Sequence, residues 1–272
     1  MAFTAKDVKA LREQTNVGMM DCKKALQEAD GDFDKAIEIL REKGLAKAAK
    51  TASRIAAEGI VCIEICDECG AAAIVEVNSE TDFVAKNADF QKFASDVAKV
   101  VIKENPADVE ALKNCKMGDL TVEGALQEKV LTIGENLQIR RFERYDDSTV
   151  NVGYTHMGGV IGVLVGLEVS DNLKGNPVVT ELGKDIGMQA AAMRPLFMDK
   201  SDVDQATLDK EKEILLVQAL EENKVSVEKH IAAVAKELGG SIKLAKYTRF
   251  EKGEGIEKKQ DDFAAEVASM AK

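Results

Sequence analysis

Residues 60–78 read IVCIEICDECGAAAIVEVN, and this stretch decides the fold. Two β-rich runs, 60–66 and 71–78, flank Asp67-Glu68-Cys69-Gly70, a polar turn that ends in glycine. Branched side chains suit a pleated surface and glycine suits the turn, so the stretch predicts an antiparallel hairpin. The next segment supplies its cover. Residues 89–104 space Phe90, Phe93, Val97 and Val100/Val101 as one apolar helical stripe, which Pro106 ends. Shorter helical patterns at about 107–113 and 121–132 lead to a strand at 136–145, NLQIRRFERY.

The second half repeats this order. Residues 150–155 and 160–169 form a hairpin pattern around His156-Met157-Gly158-Gly159. Helical patterns follow at about 178–193, 205–222 and 227–238, then a strand at 242–250. GENLQIRRFERY (134–145) and GGSIKLAKYTRFEKG (239–253) are both glycine-led strands that reach a basic residue, Phe and Glu. The chain therefore reads as α+β, with two related units, each a hairpin, helices and a returning strand. Hairpins imply antiparallel sheets.

Residues 1–57 precede the first hairpin and look wholly helical. Thr4 suits an N-cap, Thr15-Asn16-Val17-Gly18 and Asp30-Gly31-Asp32 break the pattern, and Gly44 is expected to close a third helix begun at Phe33. Residues 45–58 read as an Ala-rich helical connection. At the other end, beyond the charged EKGEGIEKKQ (251–260), a helix at 261–271 carries Phe263, Val267 and Met270 on one stripe, like an arm. The expected division is 1–57, a three-helix bundle with its connecting helix; 58–146 and 147–253, the two related units; and 254–272, a helical module.

Composition narrows the chemistry. The chain has 272 residues, 45% hydrophobic, enough for a sizeable core, but only 4% aromatic and without Trp. Lys and Arg number 37 against 48 Asp and Glu, a formal charge of −11, which argues against direct nucleic-acid binding. The basic burst at 43–54 lies on an Ala-rich helical pattern and reads as a solvated face. The N-terminus lacks an apolar signal core, and no apolar run approaches the roughly 20 residues that cross a bilayer, so neither export nor a membrane is expected. Five cysteines, an odd count, point to a reducing cytoplasm.

A catalytic constellation is not legible. The sequence has neither a G-x-x-x-x-G-K-[ST] phosphate loop nor a strand-led G-x-G-x-x-G. Cys62, Cys66 and Cys69 are the best metal candidates, but zinc needs four ligands and the chain has only two His, so small apolar cysteines in a sheet are expected and no metal or other cofactor. His156 and His230 have no nucleophile in a recognisable setting. The chain reads as a binding protein, not an enzyme. EVNSETDFVAKN (76–87) offers the anchor: Phe83 follows the capping residues Ser79, Thr81 and Asp82. Two readings stand. Phe83 staples against Val84 or the Phe90/Phe93 helix, or it is exposed for a partner's pocket with Asp82 as its polar neighbour.

EVNSETDFVAK (76–86) closely resembles a signature of the bacterial elongation factor Ts family, and LREQTNVGMMDCKKAL (11–26) resembles the family's other signature, in the same order. NVGYTHMGGVIGVLV (151–165) and RFEKGEGIEKKQDDFAAEVASM (249–270) are similar to its second core hairpin and its C-terminus, so the resemblance covers most of the chain. It implies a ubiquitin-associated-like N-terminal bundle, two α/β subdomains and a C-terminal helical arm. It also implies guanine nucleotide exchange on elongation factor Tu. Asp82 and Phe83 would enter the GTPase domain near its Mg²⁺ and phosphate site, Phe83 as a wedge. Arg12, Met19, Met20 and Lys23 would hold another helix of that domain, with Ile133 and Gly134 adding contacts from the first subdomain. His156 would touch the partner from the second subdomain, and Phe263 and Val267 would grip from the arm. Many family members carry a longer helical hairpin where only VSVEKHIAAVAKELGGS (225–241) stands here, which puts self-association through that hairpin in question. The other reading of the same likeness is a chaperone-like partner of elongation factor Tu, or a subunit of another assembly, without exchange as its main role.

Overall fold

The structure is a computed structural model that describes residues 3–15, 17–195, 198 and 226–257. The helical pattern at 205–222 and the arm with Phe263 and Val267 lie outside the described residues.

Three helices open the chain: α1 (Ala5–Thr15), α2 (Met19–Glu28) and α3 (Phe33–Thr51). Thr4 caps α1 through a reciprocal exchange with Asp7, and Asp32 caps α3 through the Lys35 N–H. Leu11, Leu26 and Leu40 are buried at their centre. Contrary to the sequence expectation, Gly44 does not end α3, which runs on to Thr51. It is a contact residue, because a Cβ at Gly44 would stand 3.3 Å from the Gln127 carbonyl oxygen and 3.5 Å from Leu131 Cβ, both in α7 (Val122–Ile133). Leu131 completes the bundle's core, so a bundle too small to be robust alone is docked onto the next unit. The connection is also shorter than expected. Helix stops at Thr51, and Glu58 already pairs with Ser79.

The first sheet is antiparallel in the order β1 (Glu58–Ile65), β2 (Ala72–Ser79), β5 (Gln138–Tyr145); the second is β6 (Val150–His156), β7 (Ile161–Val169), β8 (Ile242–Glu251), also antiparallel. Between β2 and β5 come α4 (Asp82–Ala85), α5 (Ala88–Glu104), α6 (Val109–Asn114), the two-residue strands β3 (Lys116–Met117) and β4 (Leu120–Thr121), and α7; between β7 and β8 come α8 (Pro177–Met193) and α9 (Val227–Leu238). α5 ends at Glu104, as expected, with Asn105 in the left-handed conformation as its C-cap directly before Pro106.

The central strand of each sheet, β2 and β7, is buried on both faces. Ala73, Val75 and Val77 of β2 face α5, packing on Phe90, Phe93 and Val97. Alternation turns Ala72 and Ile74 the other way, into a cluster with Val61, Tyr145, Leu164 and Phe250 between the two sheets. Val163, Val165 and Leu167 of β7 face α8. The layers therefore run helix, sheet, sheet, helix. Glycine permits the close approach of the sheets: a Cβ on Gly162 would stand 2.5 Å from Val61 Cγ1. This double burial is why β2 reads as a nearly unbroken apolar run.

The internal repeat is visible in matching defects. The β2–β5 register skips Arg140, and the β7–β8 register skips Ala245. Each bulged residue follows a helix-capping glycine, Gly134 (φ 91°) or Gly239 (φ 65°), by the same number of positions. This register equates Tyr145 with Phe250, both between the sheets, rather than aligning the two Arg-Phe-Glu runs.

Among the described residues no helix is long and apolar enough to cross a membrane.

Candidate partner-binding site

Asp82, Phe83, Val84 and Ala85 form a single helical turn directly after β2. One turn offers two inward positions, and Val84 and Ala85 take them, at 8% and 9% exposure. Phe83 is left 79% exposed. Phe90 and Phe93 lie in the core beneath, so the staple reading is excluded and Val84 does that packing. Asp82 pairs with Lys86 at 2.7 Å, and the bond holds its carboxyl below the ordinary 3.8. Lys86 Nζ also stands 5.8 Å from the Phe83 ring centroid, within cation–π range. The finger is thus apolar at its tip and charged at its base.

Two carboxylates fix the approach to this turn. Glu135 Oε2 accepts from the Glu80 and Thr81 N–H groups, each at 3.0 Å, and Glu135 Oε1 accepts from Thr81 Oγ1 at 2.6 Å. Thr81 therefore caps α4 by backbone position alone, its hydroxyl being engaged elsewhere. In return Glu80 Oε1 accepts from the Asn136 N–H at 2.6 Å and from Arg54 at 3.3 Å. Asn136 Nδ2 donates to the Arg54 carbonyl at 2.7 Å. The finger, the end of α7 and the chain leaving α3 are one hydrogen-bonded knot. Ile133 and Gly134 adjoin it, half-buried, and the Lys47 ammonium donates to the Leu131 carbonyl at 3.1 Å where α7 ends. Glu80, Glu135 and Asn136 were not singled out from sequence; the polar G-E-N run after a helix and before a strand was the available signal.

The second hairpin reaches the same edge of the molecule. The Gly159 carbonyl accepts from the Val61 N–H at 2.7 Å, and Lys252 joins the Val160 carbonyl to the Glu58 carboxylate, opposite Ser79. His156 is exposed at this tip, its Nδ1 3.1 Å from the Tyr154 hydroxyl, beside Met157 at 73% exposure. Arg12, Met19, Met20 and Lys23 are exposed where α1 gives way to α2, while Leu11, Cys22 and Leu26 turn inward. Met19 and Met20 thus form a second apolar patch with basic neighbours, on the bundle docked against α7.

Other chemistry is sparse. Among the described residues no group of three or more His, Cys, Asp or Glu could hold a metal ion. Cys62 is half-buried on the α5 core, and burial pushes its thiol up to about 12, a neutral group at ordinary pH. Cys66 and Cys69 are not the separate apolar thiols expected but a disulfide across the β1–β2 turn. His230 faces Asp185 at 3.5 Å on the surface.

An α+β chain that projects an anchored phenylalanine, and whose helical bundle exposes Met19 and Met20 beside Arg12 and Lys23, has the build of a protein-binding factor. A family profile described as "Elongation factor TS" matches residues 80–231. The chain is 46% identical to "Elongation factor Ts" of Clostridium perfringens (strain SM101 / Type A), covering 98% of this chain and 99% of the relative. It is 47% identical to the protein of the same name from Clostridium kluyveri (strain ATCC 8527 / DSM 555 / NBRC 12016 / NCIMB 10680 / K1), over 97% of each, and 44% identical to that of Clostridioides difficile (strain 630), over 99% of each. The chain belongs to the elongation factor Ts family, and its role is in translation elongation.

Proposed function

We propose that the chain is the guanine nucleotide exchange factor of elongation factor Tu, acting in the cytoplasm without covalent chemistry. The observation that carries this reading is Phe83, 79% exposed on a turn held by Glu135. A single exposed apolar side chain is ordinary, but a phenylalanine held out on a fixed turn with a charged pair at its base has the form of an anchor for a partner's pocket. In this reading Phe83 and Asp82 enter the GTPase near its Mg²⁺ and phosphate site. Arg12, Met19, Met20 and Lys23 hold a second helix, Ile133, Gly134 and His156 add contacts, and Phe263 and Val267 grip from the C-terminal module. The working units are 1–57, 58–146, 147–253 and 254–272. The seams at 52–57 and 146–149, between packed units, support that division.

The mechanism is linkage. A factor that binds nucleotide-free partner more tightly than GDP-bound partner weakens GDP by the same factor. Burying one Phe supplies roughly 1.5–3 kcal/mol, about 10- to 150-fold, so any larger acceleration draws on the remaining contacts. The test is release of a fluorescent GDP analogue from cognate elongation factor Tu with excess GDP as chase. Acceleration supports exchange. Binding without acceleration overturns it in favour of a chaperone-like partner, and no binding overturns both.

A further inference from the structure

The geometry points to a second chemical site, separate from the partner-binding surface: Cys66 and Cys69 form a reversible dithiol–disulfide pair that exchanges with small thiols and disulfides. The two sulfurs are bonded across the turn Cys66-Asp67-Glu68-Cys69, with their Cα atoms 5.4 Å apart, in the range of ordinary disulfides. Their surroundings differ. Cys69 is exposed, whereas Cys66 is half-buried against the α5 core. The Cys69 N–H donates to Cys66 Sγ at 3.1 Å.

This bond is not what folds the hairpin. β1 and β2 are paired from Glu58–Ser79 to Ile65–Ala72 without it. The turn is closed independently, by Gly70 N–H to the Cys66 carbonyl and Cys66 N–H to the Ala71 carbonyl, both at 2.8 Å. A bond closing so short a loop also removes little freedom from the unfolded chain. The pair can therefore open while the fold persists. Cys22, Cys62 and Cys115 are all free and less exposed than Cys69.

The asymmetry sets the order of events. A small thiolate attacks the exposed Cys69 sulfur, the S–S bond breaks, and the electron pair leaves on Cys66 Sγ, which the Cys69 N–H is placed to stabilise. A second small thiol attacks the small-molecule sulfur of the mixed disulfide and frees Cys69. The protein disulfide is reduced by two electrons, two small thiols become one disulfide, and their two protons end on Cys66 and Cys69. Closing is the reverse, with a small disulfide such as oxidised glutathione as oxidant. The site lies at the far end of β1–β2 from Ser79. Gly70 is bonded there to Asn151 at 2.8 Å, beside the link between the two sheets, so nucleotide exchange is expected to be the same in both redox states.

The test equilibrates the full-length protein in glutathione buffers from strongly reducing to strongly oxidising, quenches in acid, alkylates free thiols and weighs the peptide spanning 62–70. The expected result is a transition within that range, from alkylation at both Cys66 and Cys69 to a peptide lighter by two hydrogens and alkylated only at Cys62. Cys62→Ala should keep the transition and Cys69→Ser should abolish it with an unchanged circular dichroism spectrum; should that variant misfold, Cys66→Ala serves instead. Three results would overturn the proposal: thiols that persist in the most oxidising buffer, glutathione adducts in place of the bond, or a bond that survives the most reducing buffer. GDP release measured in the two end buffers reads the function separately.

Discussion

Glu135 holds Thr81 by two bonds, from the Thr81 N–H at 3.0 Å and from its hydroxyl at 2.6 Å, across more than fifty positions of sequence. The same carboxylate takes the Glu80 N–H, so one side chain sets the angle at which the Phe83 turn leaves the sheet. Glu135→Ala should therefore slow nucleotide release although Glu135 is not itself proposed to meet the partner. Charge-assisted bonds of this kind are worth about 1.5–3 kcal/mol each when buried; these are half-exposed, so about 1–2 kcal/mol in total, roughly 5- to 30-fold in rate, is the expected loss. Stopped-flow release of a labelled GDP checks it. Glu135→Gln should recover part of the rate, because its amide oxygen can still accept. A variant as fast as the parent would separate the knot from the finger's work.

Phe83 and Phe90 make a matched pair for separating function from stability. Phe83→Ala removes a side chain already in water, leaves no cavity, and should shift unfolding free energy by less than about 0.5 kcal/mol. It should slow nucleotide release about 10-fold or more and leave residual activity from the other contacts. Phe90→Ala empties a fully buried position and should cost about 3–5 kcal/mol in urea unfolding. A large stability loss in Phe83→Ala would show that the ring packs on the molecule itself.

The Asp82–Lys86 pair gives a prediction with a definite sign in pH. The Lys86 bond, the largest cause, lowers the Asp82 carboxyl below 3.8 in the folded chain. A carboxyl depressed by folding contributes stability that is present above its unfolded value and lost as pH falls through the folded one. From pH 8 down to about 5 the pair is intact, so no part of the pH dependence of nucleotide release in that window should come from Asp82. Carboxyl NMR should show Asp82 titrating below 3.8, and Lys86→Met should raise that midpoint. A midpoint above 4 would mean the pair does not form in solution.

The hairpins, the α5 stripe and the glycine-led strands were legible because period-2 and period-3.6 patterns are local. What was not legible depends on the third dimension. Gly44 looks like a helix stop until α7 arrives against it, and helical propensity then yields to packing. The two Arg-Phe-Glu runs look equivalent in sequence, but the matching bulges at Arg140 and Ala245 set a register in which Phe250 corresponds to Tyr145 and not to Phe142, and bulges are invisible in sequence. At the site, an exposed Phe83 and a stapled Phe83 share one sequence, and the decision rests on Val84 occupying the inward position. Glu80, Glu135 and Asn136 read as ordinary surface polar residues because their partners are remote in sequence. The Cys66–Cys69 pair was visible as spacing, but its bonding was not.

Glu76 is the acidic residue that the β2 pattern places where only apolar side chains belong. It is fully buried, on the strand face turned toward the second sheet. Its oxygens accept from Arg140 at 3.0 Å, Arg141 at 2.6 Å, Asn78 at 3.1 Å and the Gly253 N–H at 2.8 Å. Gly253 follows β8, so a single carboxylate joins the first sheet to the strand that ends the second. Arg141 also lies over the Phe250 ring, 4.2 Å from its centroid, and extends the tie. Removing one partner of a buried charged set leaves the others uncompensated, which costs about 3–5 kcal/mol where both partners are buried. Arg140 and Arg141 reach solvent, so Glu76→Ala is expected to lose about 2–4 kcal/mol in urea unfolding. Glu76→Gln, which keeps the volume and one acceptor, should lose less. If Glu76→Ala unfolds within about 1 kcal/mol of the parent, the apolar cluster of Val61, Ile74, Tyr145, Leu164 and Phe250 and the other bonds between the sheets hold them together without it, and the buried carboxylate needs another reason to be there.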